Sequence, residues 1–274
     1  MFATRFAPSP TGYLHRGHAF SALTAHAAAD SEGGRFVLRI EDIDRVRCRP
    51  EYEAAIFEDL AWLGLTWEQP VRRQSEHLAD YEAALERLRA DGLLYRCFRT
   101  RKELAQEMLS APHGPAAVFR GAPLPPDEEA RLLADEKPFA WRLSLEAAER
   151  RLGGFETLRF ETNGVTVQAD PTLTGDVVLA RKDVGVAYHL AVVVDDALQG
   201  ITCVIRGEDL AEATHIQRLL QALLDLPTPT YRHHPLLTGP DGKRYAKRDR
   251  AETLRELLAA GVSPQQLRSE LGFG

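Results

Sequence analysis

Cysteine is scarce in this chain: Cys48, Cys97 and Cys203 are the only three in 274 residues, odd in number and far apart. That excludes a disulfide framework and suits reduced thiols in a cytoplasm. No run of about 18 apolar residues occurs, which excludes a helical membrane span, and no membrane partner is expected. The opening MFATRFAPSP has no charged segment followed by an apolar one, so no secretory signal is expected. Cations do not dominate either, since 34 Lys and Arg against 40 Asp and Glu leave a net charge of −6. A nucleic-acid partner would therefore need a local basic patch, for which RCFRTRK at 96–102 is a candidate. There is no internal repeat and no long disordered linker. The remaining balance, 44% apolar and 27% charged, is that of a globular protein large enough to bury a full core.

The pattern of apolar residues predicts an α/β fold. ATRFA reads as a strand ending at Pro8, and an alanine-rich helix follows from about Ala19 to Ala29. RFVLRI, Arg35 to Ile40, reads as a second, parallel strand. Pro50 opens a helix that closes on Gly64, and another runs from about Ser75 to Ala90. Prolines cluster between Pro112 and Pro138, and the span 97–181 is expected to form an insertion with a small β-rich core from FAWRLSL, LRFET and GVTVQA. HLAVVVDDAL and ITCVIRG read as buried parallel strands, and AEATHIQRLLQALLDL as an amphipathic helix. ETLRELLAAG and the segment capped by Ser263-Pro264 close the chain as two short helices.

Two stretches carry candidate chemistry. In APSPTGYLHRGHAFSA, a turn leads from the first strand into the first helix, with His15 and His18 flanking Arg16-Gly17. Doubly wound sheets place phosphates at such a turn, where free backbone N–H groups and the helix dipole point outward. Gly17 has no Cβ and lets a flat ring approach, while the two histidines can donate hydrogen bonds as charge builds on phosphate oxygens. In GPDGKRYAKRDRA, residues 239–251, glycines punctuate a cluster of cations that suits a polyphosphate leaving group. Each motif is weak alone, and a solvated basic face would explain the second.

Together, PSPTGYLHRGH and RYAKR resemble the HIGH and KMSKS signatures of class I aminoacyl-tRNA synthetases. RFAPSPTGYLHRGHA, FVLRIEDIDR, YHLAVVVDDALQGITCVIRGEDL and HHPLLTGPDGKR resemble, in order, the catalytic domain of the glutamyl-tRNA synthetases. The resemblance implies a Rossmann-type doubly wound parallel sheet with an inserted small α+β domain and short C-terminal helices. It implies halves of the catalytic domain at 1–96 and 182–235, a connective insert at 97–181, and the KMSKS-like loop with its helices at 236–274. It also implies ATP, with Mg²⁺ in the substrate complex, and L-glutamate as substrates. Arg5, Phe6, Ala7, Pro8 and Ser9 match the glutamate-binding segment, Glu41 the partner of the substrate ammonium, and Tyr188 and Arg206 residues closing on the substrate. Two carboxylates and one ammonium call for fork-shaped cations plus one anion, and this set supplies them. His15, Gly17, His18, Arg244 and Lys247 match the ATP site, with His15, His18 and Lys247 as the catalytic set.

The chain ends 26 residues after Arg248, room for two short helices. That resembles the truncated branch of the family, which activates glutamate without tRNA and attaches it to the queuosine base in the anticodon of tRNA(Asp). Rival readings are a small synthetase that charges a tRNA 3′ end and a non-catalytic tRNA- or nucleotide-binding relative. Departures from the family pattern are Arg16 between the histidines, Arg244 in place of the first loop lysine, and the zinc site. Relatives build that site from a Cys-x-Cys pair, a tyrosine and a further cysteine. Here Cys97 stands with Arg99 at the second cysteine position, Phe119 lies downstream, and His113 is distant. One thiol does not make a four-ligand site, so no zinc is expected.

Overall fold

The computed structural model describes residues 1–100, 103, 118–181, 185–237 and 252–274. Strand β1 (Ala3–Phe6) leads into helix α1 (Arg16–Ser31), which returns to β2 (Arg35–Ile40). α2 (Pro50–Trp62) then precedes β3 (Glu68–Arg73), and α3 (Leu78–Ala90) precedes β4 (Leu94–Cys97). Beyond these lie α4 (Pro126–Ala134), β5 (Ala140–Leu143), α5 (Leu145–Leu152), the hairpin β6 (Arg159–Thr162) and β7 (Val165–Gln168), then β8 (Val178–Arg181) and β9 (Gly185–Val186). α6 (Tyr188–Leu198), β10 (Cys203–Gly207), α7 (Ala213–Leu223), β11 (Thr230–His234), α8 (Leu254–Ala259) and α9 (Pro264–Glu270) complete the described strands and α-helices.

β1, β2 and β3 pair in parallel, as do β10 and β11. The two groups meet edge to edge, where Thr202 N–H donates to the Ala3 carbonyl at 2.9 Å and Ala3 N–H to Thr202 Oγ1 at 2.9 Å. β1 and β10 share no ladder beyond that point, so a crevice opens at their carboxyl ends, the binding position of open α/β sheets. Side chains on these strands alternate between two cores, as the pleat requires. Phe36, Leu38, Cys203 and Ile205 face α1, α2, α8 and α9, where Ala19, Ala22 and Ala25 let α1 lie close to the sheet. Val37 and Val204 face the opposite core with Tyr81 of α3, Leu190 of α6 and Leu219 of α7. The architecture is the expected three-layer doubly wound fold with short C-terminal helices.

Two expectations are corrected. HLAVVVDDAL is not a strand but α6, with Leu190 through Asp196 all buried. A helix buried on every side shows no 3.6-residue stripe, so a continuous apolar run does not separate it from a buried strand. Among its described residues, the inserted span also has no core of its own. β5 and β8 form an antiparallel sheet with β4 and β9, whereas the β6–β7 hairpin extends the β10–β11 sheet. Leu143, Phe155, Phe160 and Leu179 of that span share one core with α3, α6 and α7.

Candidate active site

His15 is the N-cap of α1, which begins at Arg16, slightly earlier than its alanine run suggests. The His15 ring accepts from Gly17 N–H through Nδ1 at 3.1 Å, and His18 Nδ1 accepts from His15 N–H at 3.2 Å. The rings lie with centroids 3.8 Å apart. These reciprocal bonds correct one expectation: the N–H groups of His15 and Gly17 are taken by the rings and are not open to a phosphate. A nitrogen that accepts is unprotonated, so each neutral ring carries its proton on Nε2. The helix mouth therefore lines the cavity with two imidazole rings where backbone N–H groups were anticipated. At Gly17 a Cβ would sit 3.0 Å from His15 Cε1, so a side chain there would push that ring aside.

The crevice beside this turn is a cavity of about 710 Å³. Arg5, Phe6, Ala7, Pro8, Ser9, His15, Gly17, His18, Glu41, Tyr188 and Arg206, drawn from distant parts of the sequence, all line it. β1 contributes Arg5, whose Nε donates to Asp196 Oδ1 at 3.2 Å and Nη1 to the Ile205 carbonyl at 3.3 Å, bridging the gap between β1 and β10. Arg206 projects from β10, donates through Nη2 to Thr214 Oγ1 at 2.8 Å, and lies over the Tyr231 ring. Its buried Nη1 has no hydrogen-bond partner, so the wall holds an unsatisfied guanidinium N–H that a carboxylate would fill.

Beneath the cavity floor lies a group that sequence reasoning missed. Arg39, with 0% exposure, donates to Asp196 Oδ1 and Gln199 Oε1, each at 2.9 Å, and to Glu41 Oε1 at 3.2 Å. Asp195 accepts in turn from Tyr81, Arg72 and Gln74. Burial disfavours the Arg39 charge, but Asp196, Glu41 and Asp195 outweigh it and keep the guanidinium protonated. Burial also works against the Asp196 carboxylate, yet Arg5 and Arg39 hold its pKa below the usual range. Glu41 behaves oppositely: burial pushes its pKa up, and Arg39 and Arg5 offset only part of that. Glu41 thus gains from a further cation, which an ammonium would supply. The available signal was the Asp195-Asp196 pair inside an apolar run, since buried carboxylates require partners.

His234 also lines the cavity, held by Ser21 Oγ at 3.1 Å, and β11 carried no strand signal that would have placed it there. Leu236 and Leu237 line the same wall, and Thr253 forms an antiparallel bridge with His15. Arg244 and Lys247 lie outside the described residues.

The chain matches the model for the catalytic domain of class I tRNA synthetases (E and Q) over residues 1–272. The chain belongs to the class I tRNA synthetases. Within that family it is 47% identical to the glutamyl-Q tRNA(Asp) synthetase of Rhodobacter capsulatus, across 98% of this chain and 99% of that protein. It is 43% identical to the protein of the same name from Nocardia farcinica, covering 97% of this chain and 82% of that one. Among solved structures, a glutamate tRNA ligase from Elizabethkingia meningosepticum, in complex with its amino acid, superposes with a TM-score of 0.76 at 30% identity. That match covers 91% of this chain and 52% of the ligase, so the chain spans about half the length of that relative.

Where the family resemblance placed a zinc site, this synthetase buries Cys97 in β4, and Phe119 lies under the Arg142 guanidinium, 4.4 Å from ring centre to Cζ. The neighbouring Tyr95 donates to Asp176 at 2.8 Å. Among the described residues no group of three or more His, Cys, Asp and Glu is placed to hold a metal, and His113 lies outside them. No described helix is long and apolar enough to cross a membrane. Arg16, unexplained in the sequence, pairs with Glu270 of α9.

Proposed function

We propose that this synthetase activates L-glutamate with ATP, without tRNA, and transfers it to the queuosine base in the anticodon of tRNA(Asp). The observation that carries this reading is one cavity joining a three-charge pocket, Arg5, Glu41 and Arg206, to a helix mouth that lines it with two imidazole rings. The near full-length relatives named for glutamyl-Q tRNA(Asp) synthesis support the choice of acceptor.

In the proposed step an oxygen of the glutamate α-carboxylate attacks the α-phosphorus of ATP. The new C(O)–O–P bond forms as the bond to pyrophosphate breaks. Arg206 Nη1 takes a substrate carboxylate, Arg5 offers a second guanidinium, Glu41 takes the ammonium, and Tyr188 packs on the bound amino acid. His15 and His18 donate from Nε2 to phosphate oxygens as their charge grows, an effect worth about 10²–10³ in rate for one well-placed donor. Lys247 and Arg244 are assigned to the leaving pyrophosphate from the family resemblance. Mg²⁺, arriving with ATP, would supply further positive charge there. No covalent enzyme intermediate is needed, so catalysis rests on positioning and electrostatics. The division at 96/97, 181/182 and 235/236 and a cytoplasmic site of action belong to the same proposal.

ATP–pyrophosphate exchange with a panel of amino acids and no tRNA tests the first half. Glutamate-specific exchange is expected, and none above background, with ATP still bound, would place the chain among non-catalytic relatives. Acid-gel analysis of charged products tests the second. Label on queuosine-containing tRNA(Asp) is expected, whereas label on the 3′ end of tRNA(Glu) would make it a small glutamate–tRNA ligase.

A further inference from the structure

A second cavity, about 480 Å³, lies between α3, the loop after β2 and the β5–β8–β9 sheet. Its size falls within the range of about 300–1,000 Å³ typical of small-ligand clefts. It is a neighbour of the first. Glu41 and Tyr188 line the glutamate cavity, whereas Ile43 and Val186, each two residues along the chain, line the second. Two residues span at most about 7 Å of backbone, so occupants of the two cavities would be close neighbours.

The chemistry of its walls is specific. Phe139, just before β5, and Trp141 within it meet at 86°, with centroids 5.6 Å apart, forming an aromatic corner. The Arg96 guanidinium lies 4.5 Å from the Trp141 ring centre and pairs with Glu129, and a further hollow lined by Arg96 and Trp141 adjoins it. Trp141 is thereby fixed between two spaces. Glu82 of α3 adds a carboxylate that can accept from ring or exocyclic N–H groups. At the mouth Arg45 is exposed and makes no ion pair among the described residues, while its neighbour Arg47 is taken up by Asp44. Arg181 stands at the same rim.

We propose that this cavity holds the base of the nucleotide adjacent to the one that receives glutamate. The assignment rests on the proposed function. A flat base stacks on the aromatic corner, its edge meets Glu82, and Arg45 with Arg181 meets the phosphates. Single-stranded loops are recognised in this way, by splayed bases on aromatic side chains.

The test compares transfer of labelled glutamate to queuosine-containing tRNA(Asp) with tRNA-free ATP–pyrophosphate exchange. Trp141→Ala and Phe139→Ala should each raise the tRNA KM at least about fivefold, the lower bound for losing one base–aromatic stack. Exchange should keep its kcat and its KM for glutamate and ATP, and Trp141→Phe should recover most of the tRNA affinity. Arg45→Glu should raise the tRNA KM and reduce its dependence on salt. Anticodon stem-loops with 2-aminopurine beside the acceptor base should show quenching that Trp141→Ala abolishes. An unchanged tRNA KM with persistent quenching would overturn the assignment while leaving the proposed function intact. Exchange and transfer falling together in both Trp141→Ala and Trp141→Phe would reduce the corner to a structural element. If the unaltered enzyme performs exchange but labels no anticodon base, the proposed function fails first, and this assignment with it.

Discussion

His15 combines two duties that substitutions can separate. It caps α1 through Nδ1 and presents Nε2–H at the helix mouth. Asn is a good N-cap, so His15→Asn should retain most of the stability while exchange falls about 10²–10³-fold. His15→Ala should lose the cap as well, lowering stability by about 1 kcal/mol, which a thermal melt reads directly. Glu41 offers a second residue-scale prediction with a definite sign. Burial raises its pKa, so it protonates at higher pH than an ordinary glutamate and loses its attraction for an ammonium there. The glutamate KM should therefore rise on acidification before free carboxylates titrate. Glu41→Gln should raise that KM about tenfold or more at neutral pH and flatten the acid limb.

At the scale of elements, the C-terminal helices are clamped to the mouth of α1. Thr253 bridges His15, Leu254 N–H donates to the Leu14 carbonyl at 2.8 Å, and Phe273 packs near Phe20. Arg16 sits at the first helical position, where the helix dipole disfavours a cation, and Glu270 supplies the compensating charge. Glu270→Ala should produce a small drop in Tm that high salt erases, because the pair is near the surface. Arg16→Leu should be close to neutral for stability. On α2, Asp59 is buried with its Oδ2 unpaired, and desolvation raises its pKa to about 6. A carboxyl whose folded pKa exceeds its unfolded value of about 3.9 stabilises the fold only when protonated. Its contribution is complete below pH ~4 and lost as pH rises through about 6. Asp59→Asn should accordingly melt higher than the parent above pH 6, and the gap should close as pH falls toward 4.

For the whole molecule, the site belongs to no single element. Arg5 of β1 and Arg206 of β10 come from halves of the sequence brought together where two groups of parallel strands meet. A ligand spanning that seam should stabilise the entire fold. Glutamate at about 100 times its dissociation constant should add about 2.7 kcal/mol, ATP at the same excess should add about as much again, and Arg206→Ala should remove most of the glutamate-dependent part. Rising salt should weaken transfer to tRNA much more than exchange, since only the former releases counterions from RNA.

Local signals are sufficient where structure is set by neighbours in sequence. The strand–helix–strand unit from Ala3 to Ile40, the stop at Gly64, the stripe of α7 and the Ser263 cap were all legible, because periodicity, glycine and capping act over a few residues. The cavity-lining residues Arg5–Ser9, His15, Gly17, His18, Glu41 and Arg206 were legible through ordered motifs. Four things were not. HLAVVVDDAL is buried on all sides from Leu190 to Asp196, so its helical state depends on packing that no period reports. Arg39, Asp195 and Asp196 form their network only after β2 and α6 lie face to face, and the tautomers of His15 and His18 follow from backbone bonds that exist only in the folded turn. The partner of Arg16 lay at the far end of the chain. Sequence determined which charges the site contains; tertiary structure decided which of them are neutralised by each other and which face the cavity, because electrostatic pairing depends on distance in space and burial rather than on distance along the chain.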